Sequence, residues 1–281
     1  MSTESYRFKL GSFECVSISD GSHDYPPQNF FANVPEERIE QVLRQRNLPT
    51  DHITTPYVYL FANTSANQVL VDMGAGSLLP TTGRMLQNMK AAGVEPADID
   101  TVIITHAHPD HVGGTLDEEG KPIYANARYF IFRREWDFWF SETASAKAPE
   151  LHVTLARKNL EAIRDQVHLL DQESEIVPGI RAIAAPGHTP GHMVVSVSAG
   201  DEQLLYFSDT VLHPLHLEYP DWTPIYDILP EEAAASKRRI FDWAAEEKVL
   251  LLGMHFPPFP SLGYVVKKEK GWQWQPIQAT G

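Results

Sequence analysis

Thr105-His106-Ala107-His108-Pro109-Asp110-His111-Val112-Gly113-Gly114 places three imidazoles and a carboxylate within six residues, directly after the apolar run Val102-Ile103-Ile104. A short run that is apolar on both faces reads as a strand inside a covered sheet, so these donors stand where a strand gives way to a loop. One tetrahedral ion cannot conveniently take all four. The spacing therefore points to two adjacent metal ions and to metal-dependent hydrolysis.

The rest of the composition narrows the class. A chain of 281 residues, 43% of them hydrophobic, can bury a substantial core, and it is read as one domain over residues 1–281. Its net charge of −14 is ill suited to gripping a phosphate backbone, which excludes nucleic acid as the expected partner. Cys15 is the only cysteine, so no intramolecular disulfide or thiolate zinc site can form, and any ligands must be His and carboxylate. Met1 to Leu10 has no secretory pattern, and no run approaches membrane-spanning length. A soluble, cytoplasmic protein without a membrane partner is expected.

Working outward, alternating segments at 8–18, 57–61 and 68–71 read as strands. Helices are predicted over 35–44, opened by Pro35 with acids early and Arg44 late, over about 81–92, ended by Gly93, and over 231–246. The segment 101–105 reads as the strand before the His-rich loop. The same grammar returns three times: 180–184 leads to Pro186-Gly187-His188, 204–207 to Ser208-Asp209, and 249–252 to Gly253-Met254-His255. Four strands thus end in a candidate ligand, the usual way layered folds hold chemistry on a rigid scaffold. The tail, 264–268 and 272–276 around Lys270-Gly271, reads as a hairpin.

His106-Ala107-His108-Pro109-Asp110-His111, Gly187-His188-Thr189-Pro190-Gly191-His192, Ser208-Asp209-Thr210 and Gly253-Met254-His255 together resemble the ordered motifs of the metallo-β-lactamase-fold superfamily. Val71-Asp72-Met73-Gly74 resembles its first motif, where the Asp is structural. The resemblance implies an α+β fold, a four-layer αββα sandwich with the metal site along one edge. Position by position it implies His106, His108 and His188 on one ion, and Asp110, His111 and His255 on the other, with Asp209 bridging. Zinc is the implied metal, with Mn, Fe and Co tolerated by the same donors. Two such ions share a water and offer hydroxide as nucleophile, with Asp110 or Asp209 relaying the proton.

Among the branches of that superfamily, the chain most resembles the N-acyl homoserine lactonases and the methyl parathion hydrolase-like enzymes. The features that carry this are Phe8-Lys9-Leu10-Gly11 to Ser19-Asp20-Gly21, the double glycine at 113–114, and His213-Pro214 after Asp209. The implied substrate is a small lactone or related carboxylic ester, the implied assembly a homodimer. Phosphotriesterase or arylesterase activity is the alternative, followed by a glyoxalase II-like thioesterase and an iron-dependent persulfide dioxygenase. Lactonases of this group often carry a Tyr shortly after the bridging Asp. Here Val211, Leu212 and His213 occupy that stretch, leaving His213, Tyr219 or Tyr226 as substitutes.

Arg133 to Phe140 packs four aromatics into five residues, so Trp136 and Trp139 are candidates for a pocket wall or, equally, for a helix seated on the core. Phe30 and Phe31 are candidates for a flap over the site or a dimer contact. His192 is read as orienting the His188 loop, and His23, His52, His152 and His168 as surface or satisfied polar groups.

Overall fold

Two seven-stranded sheets stack face to face in the computed structural model, which describes residues 4–278. The first runs in chain order through β1 (Ser5–Leu10), β2 (Phe13–Tyr25), β3 (Ile53–Asn63), β4 (Gln68–Val71), β5 (Thr101–Ile103), β6 (Arg128–Phe132) and β7 (Val167–Leu170). Pairing is antiparallel as far as β4 and parallel from β4 to β7. The second contains β8 (Ser174–Val177), β9 (Ile180–Ala184), β10 (Met193–Ala199), β11 (Glu202–Tyr206), β12 (Leu250–Leu252), β13 (Leu262–Lys267) and β14 (Trp272–Pro276). Only β11 and β12 pair in parallel there, and the connection between them carries a long helix.

The helices are α1 (Glu36–Gln45), α2 (Met85–Ala91), α3 (Pro109–Val112), α4 (Arg133–Phe140), α5 (Glu142–Lys147), α6 (Glu150–Ala162), α7 (Leu215–Glu218) and α8 (Pro230–Glu247). Helices flank both sheets, giving the expected αββα sandwich. Strand alternation explains the layering: Val195, Val197, Leu204, Tyr206 and Leu252 enter the core between the sheets, while their neighbours Val194, Leu205 and Leu251 meet Ile240, Phe241 and Ala244 of α8. Each such side chain contributes ~1.5–3 kcal/mol by leaving water, so a strand apolar on both faces is held from both sides. No helix among the described residues is long and apolar enough to cross a membrane.

Three expected boundaries move. The segment 8–18 is divided by a tight turn at Gly11, φ +53°, into the antiparallel pair β1 and β2. The second helix begins at Met85, not near Thr81, because its start is set by a distant group: the Asp20 carboxylate accepts the Met85 N–H at 2.6 Å and the Ala75 N–H at 2.9 Å. The strand at 101–105 stops at Ile103, because the Thr105 N–H turns to the Asp72 carboxylate, 2.8 Å away.

A candidate dinuclear metal centre

β5 delivers the His-rich loop, and the turns after β9, β11 and β12 deliver His188, Asp209 and His255 to the same place. Their donor atoms form two groups, His106, His108, His188 and Asp209, and Asp110, His111, Asp209 and His255, each with all atoms within 4.8 Å of one another. Asp209 belongs to both. Its Oδ2 lies 3.7 Å from His106 Nε2, 3.2 Å from His188 Nε2 and 3.5 Å from His111 Nε2, while its Oδ1 lies 3.4 Å from His255 Nε2. Asp110 Oδ2 completes the second group at 3.5 Å from His255 Nε2 and 3.8 Å from His111 Nε2.

The hydrogen bonds behind these rings set which nitrogen faces inward. His188 Nδ1 meets Asp227 Oδ1 at 3.0 Å, His111 Nδ1 meets Asp72 Oδ2 at 2.8 Å, and His255 Nδ1 meets the Pro56 carbonyl at 2.9 Å. With a proton held at each Nδ1, each Nε2 presents a lone pair to the centre. His108 Nδ1 lies 3.1 Å from His106 Nε2 and 2.9 Å from His188 Nε2. Ring nitrogens brought this close aim at a common point, where a cation would be held. The buried His111 Nε2 and Asp209 Oδ1 have no hydrogen-bond partner among the described residues. The donor set thus fits two divalent metal ions.

Electrostatics separates these groups. Burial pushes His106 and His108 well below the usual imidazole range. For His188 burial acts the same way, but Asp209 and Asp227 outweigh it and lift the pKa to about 9; at His255 burial is likewise outweighed by Asp209 and Asp110, again to about 9. Burial would raise Asp209, yet His255 and His111 hold it well below the carboxylate range. The carboxylate shared by the two groups is therefore anionic.

Backbone geometry supports the centre. Asp72 sits in the left-handed region at φ +61°, a conformation costing ~1–3 kcal/mol, and is fixed there by the Thr105 N–H, the Thr105 hydroxyl and His111. Gly113 and Gly114 lie against the backbone after β4, and a Cβ on Gly114 would stand 2.0 Å from the Met73 carbonyl oxygen. His192, read as an orienting residue, gives its Nδ1 to the Ala185 carbonyl at 3.0 Å and accepts the Asp209 N–H on Nε2 at 3.2 Å. Burial lowers its pKa to about 3, which keeps it in that neutral form.

Two carboxylates escaped sequence reading. Glu135, on α4 and fully buried, accepts from Ala107 N–H at 3.0 Å, Gly191 N–H at 2.9 Å, the Thr189 hydroxyl at 2.6 Å and Trp139 Nε1 at 2.6 Å. It clasps the His106 loop to the His188 loop. Asp227, the partner of His188, lies in the irregular segment before α8. Neither sits in a motif, and only the fold brings them in.

Over the donors lies a cavity of about 270 Å³ lined by His108, Asp110, His188, Asp209 and His255 below and by Tyr25, Phe30, Tyr57, Leu151, Leu212 and Tyr226 around them. Phe30, one of the pocket candidates, is among these lining residues. The other pocket candidates do not line it. Trp139 is buried behind His108, ring centroids 5.6 Å apart, and Trp136 packs on Phe140 under the Arg164 guanidinium. Phe31 is buried against Trp222 and His216, and His213 packs against Phe31 with its Nδ1 taken by the Leu215 N–H. Tyr219 stacks on Trp222 and is likewise no lining residue, whereas Tyr226 is one. His152, expected to be a bland surface group, instead lines the cavity with its ring 5.3 Å from that of His108.

Residues 54–253 match the description "Metallo-beta-lactamase superfamily". The chain belongs to this superfamily. Among its members, the N-acyl homoserine lactonase AiiA of Bacillus thuringiensis subsp. kurstaki is 26% identical over 188 residues, 64% of this chain and 66%, just under two thirds, of the relative's length. AidC, described as a dizinc quorum-quenching lactonase in complex with the product N-hexanoyl-L-homoserine, superposes with a TM-score of 0.93 at 27% identity over 99% of both chains. The hydrolase AbOPH superposes at 0.90 with 24% identity over the whole of both chains, a likeness of fold.

Proposed function

We propose that this protein is a metal-dependent hydrolase, a single domain over residues 1–281, that opens lactones and cleaves related carboxylic esters at a dinuclear zinc centre. The observation that carries the reading is the pair of donor groups joined through Asp209 on the floor of a largely apolar cavity. Likeness to AidC over nearly the whole chain supports a lactone as substrate.

His106, His108 and His188 would hold one ion and Asp110, His111 and His255 the other, with Asp209 between. Two ions held there would supply hydroxide from bound water at neutral pH and polarise the electrophilic carbonyl. The chain's own contribution is positioning and proton handling. Asp110, whose side chain keeps 20% exposure, reaches the cavity and can take the proton that the attacking water gives up. His188 and His255 are held in the required tautomer by Asp227 and the Pro56 carbonyl. Phe30, Leu151 and Leu212 offer apolar surface to an acyl chain and exclude bulk water from the reacting carbonyl.

The test is a substrate panel on protein reconstituted with defined metals: N-acyl homoserine lactones, aryl esters and phosphotriesters. Turnover of lactones by protein holding two zinc ions per chain is expected. Metal-loaded protein that turns over none of the three classes would sink the proposal, and a single iron with substrate-dependent oxygen uptake would replace it by an oxygenase.

A further inference from the structure

On the cavity wall formed by β2 and β3, the hydroxyls of Tyr25 and Tyr57 stand 2.5 Å apart. Each phenol brings one O–H, and a single hydrogen bond between them uses only one of the two protons. Neither hydroxyl has another partner among the described residues, so one proton of the pair is unspent. Enclosure decides which. Tyr57 is only 2% exposed and its ring stands edge-on to His255, centroids 5.0 Å apart at 89°, so its hydroxyl meets Tyr25. Tyr25, the last residue of β2, is only partly buried, and its O–H is the one left to face the cavity. Two residues before Tyr57 on the same strand, the buried Thr55 hydroxyl also lines the cavity without a partner. A wall whose donors are unsatisfied, set beside the apolar Phe30, Leu151 and Leu212, is built for an acceptor in the occupant.

We propose that Tyr25 and Tyr57 act as one composite hydrogen-bond donor to an acceptor oxygen of the substrate, Tyr25 making the contact and Tyr57 positioning and polarising it. This rests on the hydrolase reading above, and it adds a specificity-determining group that lies outside every motif of the sequence. Because the two hydroxyls serve one bond, their removal is not additive.

The experiment is a double-mutant cycle, Tyr25→Phe, Tyr57→Phe and the pair, on zinc-loaded protein with N-hexanoyl homoserine lactone. Metal content and melting temperature are measured alongside to show that each variant is folded and loaded. Tyr25→Phe is expected to lower kcat/KM about tenfold, chiefly through KM, and Tyr57→Phe about threefold. The double variant should lose no more than Tyr25→Phe alone. Losses that multiply to about thirtyfold, or an unaffected Tyr25→Phe, would overturn the composite donor. Calorimetric binding of the ring-opened product, N-hexanoyl-L-homoserine, gives the same cycle without turnover. If the wild type hydrolyses nothing, the hydrolase reading fails on its own, and the donor is then judged by product binding: a weaker complex for Tyr25→Phe keeps it, an unchanged one overturns it.

Discussion

The two donor groups share Asp209 but are fastened differently. His106, His108 and His188 come from two loops far apart in sequence, and that meeting depends on carboxylates that are themselves distant: Glu135 clasps the loops and Asp227 fixes His188. In the second group, Asp110 and His111 are neighbours on one loop, His111 is fixed by Asp72, and His255 leans on a backbone carbonyl. The first group is buried throughout, while Asp110 opens the second to the cavity. Both groups face the cavity, but the first is fastened through more distant contacts and only Asp110 of the second keeps appreciable exposure.

The strongest way to break this contrast is to remove the shared member. Asp209→Ala should empty both positions and lower kcat/KM by roughly a thousandfold or more, several kcal/mol of electrostatic stabilisation being lost. Elemental analysis of the purified variant checks the metal loss. If one ion stays at full occupancy, Asp209 does not join the two groups.

Glu135→Ala tests the clasp. It strands four buried donors, the Ala107 and Gly191 N–H groups, the Thr189 hydroxyl and Trp139 Nε1, at ~1–3 kcal/mol each before relaxation. A fall in Tm of roughly 5–10 °C is expected, with the His106, His108 and His188 position losing metal first. Equal loss from both positions in a metal titration would show that the two groups are fastened alike.

Asp227→Asn is milder, since the hydrogen bond to His188 Nδ1 can survive while the charge does not. Affinity at the first position should fall by about 10- to 100-fold with little change at the second, as read by competition with a chromogenic chelator. The smallest effect belongs to the cavity rim. Leu151 is 57% exposed, and Leu151→Ala should raise KM for a medium-chain acyl lactone only about two- to threefold, ~0.5 kcal/mol, with metal content unchanged. A larger change in kcat than in KM would mean that the rim acts on the centre and not on the acyl chain.

Some of this was legible in the chain itself, for an identifiable reason. The His106 to His111 spacing, the strand-then-donor grammar at His188, Asp209 and His255, and the Gly113-Gly114 pair are local: covalent geometry brings the residues together whatever the rest of the chain does. Runs such as Val102-Ile103-Ile104 and Leu204-Leu205-Tyr206-Phe207 announce burial on both faces by being unbroken by charge. Aromatic density at Arg133 to Phe140 left two placements open, because composition tells that a helix is buried but not which side of the metal loop it covers; Trp139 lies behind His108 and not over it.

What only the tertiary structure decided is everything that depends on two segments meeting. Glu135 and Asp227 are ordinary acids in the sequence, and Tyr25 and Tyr57 are ordinary strand aromatics. Asp20 is an ordinary acid in the sequence until its carboxylate, 65 residues away along the chain, accepts from the first N–H of α2. The sequence by itself determined the strand-then-donor segments, because periodicity and spacing are properties of a single segment, and the resemblance of those motifs to a known family implied the sandwich and the seven candidate ligands. The outer hydrogen bonds and the cavity wall were decided by packing, because a hydrogen bond across the fold is set by where two chains of contacts end and leaves no pattern in either one.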